Sequence, residues 1–154
     1  MKPVVFDGGS EEERRRVLEV HDAYLDANAT FDVGALARIW DDDPTDVFFN
    51  LNGHTYVGRE QWFRLWDYYR DRLRTGRWEP DDVKVLIRGD LAVLTSHRLS
   101  PIKWIGSEPP PATFRDRPER RSRATMVMVR RAGGWKITHV HFSEATQEPR
   151  PGGI

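Results

Sequence analysis

The sequence predicts an α+β fold in which three helices are followed by a largely antiparallel meander of strands. Two patterns carry this prediction: apolar residues recur every three or four positions in the first half of the chain, and they alternate in the second half. Turns that contain glycine separate the alternating segments. The 154 residues suit one domain, and six Trp, four Tyr and seven Phe argue against disorder.

The first two helices are predicted from their N-terminal caps. Ser10 and Glu13 have the spacing of a capping box, and apolar residues follow at helical intervals, so we expect a helix over about residues 10–29. Asp32 can cap a second, shorter helix. This helix ends before Pro44, because proline disfavours helical backbone in the residue that precedes it.

A short hairpin is predicted to separate the second helix from the third. Its turn lies at Asn52-Gly53, a dipeptide typical of tight hairpins. The third helix begins near Gly58, and its apolar spacing extends to Leu73. We expect Gly76 to end it.

The second half of the chain is predicted to be β structure. Its strands are expected over residues 78–88, 91–99, 120–131 and 135–143. We expect a turn at Gly89-Asp90 and a three-residue turn with a glycine bulge at 132–134. The segment 101–118 contains five prolines, which cannot donate to a sheet, so we expect a long loop that could serve as a lid.

The charge of the chain disfavours some classes of partner. With 24 basic and 24 acidic residues the formal net charge is zero, so we expect no binding to nucleic acid or to a membrane surface. The charges are unevenly distributed: residues 1–60 hold 13 acidic and 6 basic residues, whereas residues 61–154 hold 11 and 18. The basic half is expected to steer an anionic ligand or to pair with an acidic helix of a partner subunit.

The absence of cysteine excludes disulfides, thiolate catalysis and cysteine-ligated zinc. The sequence has no apolar run of membrane-spanning length and no signal-peptide pattern, so we expect a cytoplasmic protein. Its predicted organisation is an N-terminal arm over residues 1–9, one domain over residues 10–145 and a C-terminal tail over residues 146–154.

Four segments together resemble a known family. They are WDDD at 40–43, Gly58 at the start of a helix, GDLAV at 89–93 and GGWKITHVHFS at 133–143. The pattern resembles the SnoaL-like branch of the nuclear transport factor 2-like (NTF2-like) superfamily over roughly residues 10–145. Its closing segment is also similar to the association domain of calcium/calmodulin-dependent protein kinase II.

The resemblance implies a cone-shaped, strongly curved antiparallel sheet wrapped around three N-terminal helices, the NTF2-like or cystatin-like roll. An apolar pocket would open at one end of the cone, and the outer sheet face would mediate dimerisation. The motifs specify this fold better than any function, since the superfold includes isomerases, dehydratases, cyclases, epoxide hydrolases and non-catalytic assembly domains.

Strand alternation, combined with this resemblance, predicts the pocket wall. With a turn at 132–134, Met126 pairs with Val140 and Ala124 with Phe142, and paired residues share one face of a sheet. The resemblance implies that this face is concave; a register slip of one residue would exchange the two faces. The expected wall comprises Trp40, Phe48, Tyr56, Trp62, Trp66, Ser96, Met126, Val140 and Phe142. Each tryptophan has an alternative role as plain hydrophobic core.

Three polar residues are candidates for catalysis: Tyr24, Asn50 and Arg98. By resemblance to ketosteroid isomerase, Tyr24 occupies the position of a tyrosine that donates to an oxyanion, while Phe48 and Met126 replace two carboxylates, so steroid-type isomerisation is disfavoured. An inward Arg98 would bind a carboxylate, phenolate or enolate, and Asn50 would orient a carbonyl group or a water. The alternatives are a core tyrosine, a solvent-facing arginine and an asparagine that only shapes a turn.

The outer sheet face is expected to form a homodimer, as the resemblance implies. In the predicted register it carries Val127, Val129, Ile137, His139 and His141. The two histidines, together with His97, could instead hold a metal ion, but the apolar neighbours favour an interface. His54 could reach the pocket mouth as an acid or base. We expect neither a metal nor an organic cofactor.

The expected function is that of a cofactor-independent enzyme acting on a hydrophobic, oxygenated small molecule of aromatic or polyketide-like type. By resemblance to SnoaL-like cyclases and isomerases, it would work by positioning and general acid–base catalysis, as an isomerase, cyclase or dehydratase-like lyase. The alternative is a non-catalytic ligand-binding or oligomerisation module, as the resemblance to the kinase association domain implies. The lack of an inward carboxylate favours that alternative, whereas the tryptophan-rich helix faces and the lid favour a ligand.

Overall fold

A computed structural model describes residues 2–114, 116 and 121–153. A curved sheet wraps around three α-helices in this part of the chain, so the predicted α+β fold class is confirmed. The helices are α1 (Glu11–Thr30), α2 (Val33–Ile39) and α3 (Gly58–Arg70). None of the helices in the described residues is both long enough and apolar enough to cross a membrane.

The described residues contain nine strands. They are β1 (Val5–Asp7), β2 (Val47–Phe49), β3 (Thr55–Val57), β4 (Leu73–Thr75), β5 (Glu79–Arg88), β6 (Leu91–Leu99), β7 (Ile102–Trp104), β8 (Arg121–Arg131) and β9 (Gly134–Glu144). Seven of them form one sheet in the order β1-β5-β6-β8-β9-β2-β3, and β4 pairs with β7. The predicted end of the 101–118 loop, at 115, 117 and 118, lies outside the described residues, as does the predicted strand start at 120.

The helix caps predicted from the sequence are present. Ser10 and Glu13 form a complete capping box at the start of α1. The Asp32 carboxylate accepts a hydrogen bond from the backbone N–H of Ala35 at 2.9 Å and caps α2. These caps fix where both helices begin, and α1 then carries one face of the cavity described below.

The third helix is shorter than its apolar spacing predicts. It ends at Arg70, and Leu73 belongs to β4, where it pairs with Trp104 of β7. Part of the segment predicted as a proline-rich loop is therefore a strand. The three residues Ile102–Trp104 contain no proline, so they can complete this two-stranded ladder.

The N-terminal arm contributes to the large sheet. β1 lies parallel to β5, with Phe6 opposite Val85. The guanidinium carbon of Arg14 lies 5.2 Å from the centre of the Phe6 ring, which ties this strand to α1. In the C-terminal tail, a short 3₁₀ turn covers Pro151–Gly153.

The β8–β9 hairpin differs from the predicted register near its turn. Arg131 pairs with Gly134, so the loop has two residues instead of three. Thr138 is an additional residue on β9, and this bulge restores the predicted pairing of Val127 with His139. As a result Ile137 faces the core with no solvent exposure. Its predicted place on the outer face is wrong, because alternation between the turn and the bulge is shifted by one residue.

The core lies between the concave sheet face and the helices. The rings of Trp40 and Trp62 stack with centres 5.4 Å apart, and Phe48 packs against both. Met126 and Val140 are paired in the sheet beneath them and are fully buried. This aromatic layer forms a firm wall behind the neighbouring cavity.

Candidate functional site

An open cavity lies among α1, α3, the end of β9 and the segment 102–114. The volume that the centre of a water-sized sphere can occupy is about 70 Å³, several times the roughly 10–15 Å³ that holds one water. Its aromatic lining comprises Tyr24, Phe31, Trp62, Trp66, Tyr69, Trp78, Trp104, Phe114 and Phe142. The rest of the lining comprises Asn28, Asn50, Leu51, Asn52, Leu65, Leu73, Ile102, Pro111 and Thr113.

A buried arginine lies against two of these aromatic walls. The guanidinium carbon of Arg98 is 4.3 Å from the ring centre of Phe142 and 4.5 Å from that of Trp78. Its Nε donates to the Ser122 hydroxyl at 3.3 Å, and this hydroxyl also accepts a bond from Ser100 at 3.0 Å. Within the described residues, neither Nη1 nor Nη2 of Arg98 has a partner with full hydrogen-bond geometry; the Tyr24 hydroxyl makes only a weaker contact of this type with the guanidinium.

The charge of Arg98 is the main electrostatic feature of the site. The side chain is only 2% exposed, and burial lowers the pKa of Arg98. A guanidinium nevertheless keeps its proton in proteins. A buried cation without a hydrogen-bonded anion is costly, so this position favours an anionic partner.

Tyr24 lies beside this cation on the cavity wall. Its ring centre is 5.9 Å from that of Phe142 and 6.2 Å from that of Trp66. Burial raises the pKa of Tyr24, and the nearby positive charge of Arg98 only partly opposes this effect. The phenol therefore stays neutral at pH 7 and can donate a hydrogen bond to an oxyanion.

Amide groups lie at another part of the cavity wall, around the β2–β3 turn. The Asn52 Nδ2 donates to the hydroxyls of Tyr56 and Tyr69, each at 2.9 Å. The side-chain Oδ1 of Asn52 accepts from the backbone N–H of His54 at 3.0 Å. Asn50 also borders the cavity, and its backbone carbonyl accepts from Gly53 within the turn.

The segment 102–114 covers one side of the cavity and is fixed by specific contacts. The Trp104 indole N–H donates to the Glu108 carbonyl at 2.8 Å, and the Trp104 and Phe114 rings have centres 5.5 Å apart. The Glu108 carboxylate forms an ion pair with Arg72. The described part of the predicted lid thus supplies cavity lining through Trp104, Pro111, Thr113 and Phe114.

The structure brings together only part of the predicted site. Tyr24, Asn50, Trp62, Trp66 and Phe142 line the cavity. Arg98 lies behind Phe142 and Trp78. The other predicted wall residues do not line the cavity. The Tyr56 hydroxyl accepts a hydrogen bond from Asn52 next to the cavity. The rest are buried in the surrounding core: Trp40, Phe48, Ser96, Met126 and Val140.

Several lining residues were not predicted as site residues. Asn28 follows Tyr24 by four positions, so helical spacing could have identified it. Trp78 stands just before β5 without an apolar period, and it reaches the site only through the fold. Phe31 ends α1 in a left-handed conformation with φ of 52°, which local spacing does not indicate.

The histidines of the outer sheet face are arranged around an exposed aromatic ring. The ring of Phe49 lies 5.3 Å from His139 and 5.3 Å from His141. His97 lies instead beside Asp82, with 3.6 Å between Nδ1 and the carboxylate. Among the residues that the structure describes, no group of three or more histidine, aspartate or glutamate side chains could hold a metal ion.

A pair of carboxyl groups lies on the other side of the core. Arg131 donates to both oxygens of Asp41 at 2.9 and 3.1 Å, and this contact lowers the pKa of Asp41. The Thr138 hydroxyl donates to Asp46 at 2.6 Å. Burial, together with the neighbouring negative charge of Asp41, raises the pKa of Asp46 to about 6. These groups connect the segment between α2 and β2 to β8 through Arg131 and to β9 through Thr138.

The curved sheet, the three helices and the open aromatic cavity define an NTF2-like domain. Residues 17–147 match the model of the SnoaL-like domain, so the chain belongs to the SnoaL-like family. The resemblance identified from the sequence is thereby confirmed. No curated protein matches the chain.

Solved structures from several organisms share this fold. An NTF2-like superfamily protein from Salmonella enterica is 14% identical with a TM-score of 0.71, over 95% of this chain and 100% of that one. A proposed dehydratase of the NTF2-like family from Streptomyces avermitilis is 20% identical with a TM-score of 0.68, over 89% and 99%. The CaMKII hub of S. rosetta is 25% identical with a TM-score of 0.64, over 90% and 99%.

Proposed function

We propose that this protein is a SnoaL-like enzyme that binds a small apolar molecule with a negatively charged or carbonyl oxygen at one end. The main support is the buried guanidinium of Arg98, whose two Nη atoms have no anionic partner among the described residues. The reaction would be an isomerisation, cyclisation or dehydration that proceeds by general acid–base catalysis.

The charge of Arg98 supports an oxyanion as the bound group. A carboxylate or enolate oxygen that reaches past Phe142 and Trp78 would accept from the Nη groups and neutralise the buried charge. The neutral hydroxyl of Tyr24 could donate to the same region. Donors arranged in this way before the reaction stabilise negative charge that develops on a carbonyl oxygen.

The aromatic walls support an apolar body for the same ligand. Nine aromatic side chains line a small cavity, and such pockets bind flat apolar molecules with few directed hydrogen bonds. The space suits a molecule of about one ring with a short side chain. Phenylpyruvate, which carries a ring, a ketone and a carboxylate, is therefore a suitable probe.

The test is exchange of the phenylpyruvate methylene protons with D₂O, followed by NMR. The enzyme should accelerate exchange above the buffer rate, because an enolate would form next to Arg98 and Tyr24. Tyr24→Phe should slow exchange while binding remains, and Tyr68→Phe, at a 41% exposed tyrosine, is the matched control. A wild-type rate equal to that of buffer, for phenylpyruvate and for related aryl keto acids, would contradict the enzyme proposal.

A second candidate function is a non-catalytic oligomerisation module. It is favoured by the similarity to the CaMKII hub and by the exposed Phe49 ring beside His139 and His141. The corresponding dimer would use the outer face, with Val127 and Val129 at its centre. Light scattering tests this: the wild type should have the molar mass of a dimer, and Val127→Glu should have that of a monomer. A monomeric mass for the wild type would rule the dimer out.

A further inference from the structure

The last turns of α1 place a buried asparagine on the cavity wall. Asn28 is 4% exposed and lines the cavity together with Tyr24, which precedes it by one helical turn. Within the described residues, the side-chain nitrogen Nδ2 of Asn28 is buried and has no hydrogen-bond partner. Buried amide groups are normally hydrogen-bonded, so a cavity-lining amide without a partner points to a ligand.

The residues that flank Asn28 along the helix form an aromatic wall. Tyr24 and Phe31 both pack against Trp66, with ring centres 6.2 and 5.7 Å from it. The Phe31 ring centre is also 6.0 Å from that of Tyr69. These four aromatic residues and Asn28 line the same cavity. Asn28 is therefore a polar group in an aromatic part of the wall.

Backbone contacts fix the end of α1 at this point. The Asn28 carbonyl accepts from the Phe31 N–H at 3.4 Å, and the Phe31 carbonyl accepts from Nη2 of Arg70 at 3.3 Å. Arg70 is itself paired with Asp67 at 2.7 Å on α3. The side chain of Asn28 thus extends from a backbone that is anchored to the neighbouring helix.

Neither helix formation nor packing explains an asparagine at position 28. Asparagine is a poorer helix former than leucine, which has a similar size. A buried amide without a partner also costs free energy that an apolar side chain does not. A residue that breaks both rules on the wall of a cavity is typical of a binding site.

We propose that Asn28 is a specificity-determining residue that binds a hydroxyl group on the aromatic ring of the ligand. This inference rests on the proposed function and narrows its substrate class to aryl acids that carry a phenol. The amide turns about χ2, which exchanges its nitrogen and oxygen. A hydroxyl can accept from the nitrogen or donate to the oxygen, so it pairs with whichever end faces the cavity.

The spacing along α1 suits a ligand that is held at both ends. Tyr24 and Asn28 are four residues apart, which is about 6 Å along the helix axis. The Tyr24 hydroxyl contacts the Arg98 guanidinium, so the charged oxygen of the ligand is expected on that side. The separation is close to the length of a benzene ring with one substituent at each end. A hydroxyl para to the acidic side chain would therefore reach Asn28.

Calorimetric titration of four probes tests this role. The acids 4-hydroxyphenylacetate and phenylacetate differ only by the hydroxyl, as do the neutral 4-hydroxyphenylacetamide and phenylacetamide. The wild type should bind the hydroxylated member of each pair about tenfold more tightly, the effect of one additional neutral hydrogen bond. Asn28→Leu should remove this preference in both pairs and keep phenylacetate binding. Gln147→Leu, at an exposed amide, should retain the preference.

Two further measurements distinguish ligand binding from a structural role. Asn28→Ala should also remove the preference for the hydroxyl, so the result does not depend on how leucine fits. The melting temperature of ligand-free Asn28→Leu should equal or exceed that of the wild type, because Nδ2 has no partner to lose. A lower melting temperature with an intact hydroxyl preference would assign the amide a structural role only.

The outcomes separate this inference from the proposed function. Equal affinities within each pair for the wild type, or a hydroxyl preference that persists in both Asn28 variants, would overturn the role of Asn28. A hydroxyl preference that depends on Asn28, without any preference for acids over amides, would support that role and contradict anion binding at Arg98. Failure of all four probes to bind would overturn both.

Discussion

Replacement of Arg98 by methionine should stabilise the ligand-free protein. A buried guanidinium without an anion costs several kcal/mol of desolvation. Two ring contacts, at 4.3 and 4.5 Å, return about 1 kcal/mol each, and the bond to Ser122 returns about 1.5 kcal/mol. Arg98→Met should therefore raise the free energy of unfolding by about 1–2 kcal/mol, since methionine fills a similar apolar space.

The free energy of unfolding should be measured by urea denaturation, and the melting temperature by calorimetry. A gain of this size corresponds to an increase of roughly 2–6 °C for a chain of this length. Arg131→Met is the contrasting variant, because it leaves the 3% exposed carboxylate of Asp41 without its partner. Its free energy of unfolding should fall by about 1–2 kcal/mol. This is less than the loss for a fully buried ion pair, because the Arg131 side chain is half exposed.

The outcome for Arg98 decides whether its charge is unsatisfied. If Arg98→Met lowers the free energy of unfolding by more than about 1 kcal/mol while Arg131→Met behaves as expected, the guanidinium has adequate partners in the protein. Arg98 would then need no anionic ligand. If phenylacetate stabilises the wild type but not Arg98→Met, the argument is strengthened at the same position.

Three other predictions concern the supports of the site. Because the pKa of Asp46 is raised to about 6, the free energy of unfolding of the wild type should fall by about 1 kcal/mol relative to Asp46→Asn as the pH rises from about 4 to about 6, a value reduced for partial exposure. Urea denaturation at each pH measures this difference. The same pH dependence in both proteins would refute the prediction. Glu108→Gln removes the ion pair with Arg72 and should speed phenylacetate entry and release, while the free energy of unfolding falls by less than about 1 kcal/mol. Unchanged rates in stopped-flow fluorescence would show that this ion pair does not control access to the cavity. Gly58→Ala should lower the free energy of unfolding, measured by urea denaturation, by about 1–2 kcal/mol. The reason is that Gly58 has φ of 74° and an added methyl would lie 3.1 Å from the Pro44 carbonyl oxygen. An unchanged free energy of unfolding would show that the turn adapts.

Local chemistry accounts for the parts of the fold that the sequence predicts well. The capping box of Ser10 and Glu13 depends on residues three positions apart, so it is visible in the chain alone. Alternation likewise identifies the inner residues of β6 and β8, where the register is regular. It fails at Ile137, since the position of the Thr138 bulge depends on how two strands fit and not on either strand's own pattern.

The candidate site is less visible because distant segments build it. Tyr24 was indicated by the family resemblance, whereas Trp104 reaches the cavity through the pairing of β4 with β7. That pairing replaces the end of a predicted helix, so the helical pattern itself concealed it.

Calorimetric titration of two isosteric probes at pH 7 shows whether the cavity binds an anion at Arg98. Phenylacetate should bind the wild type about 10–100-fold more tightly than neutral phenylacetamide, the difference typical of hydrogen bonds to a charged group. The difference should disappear in Arg98→Met and persist in Arg123→Met, where the arginine is exposed. Equal affinity of the two probes for the wild type, or an undiminished preference for phenylacetate in Arg98→Met, would show that Arg98 does not bind the carboxylate.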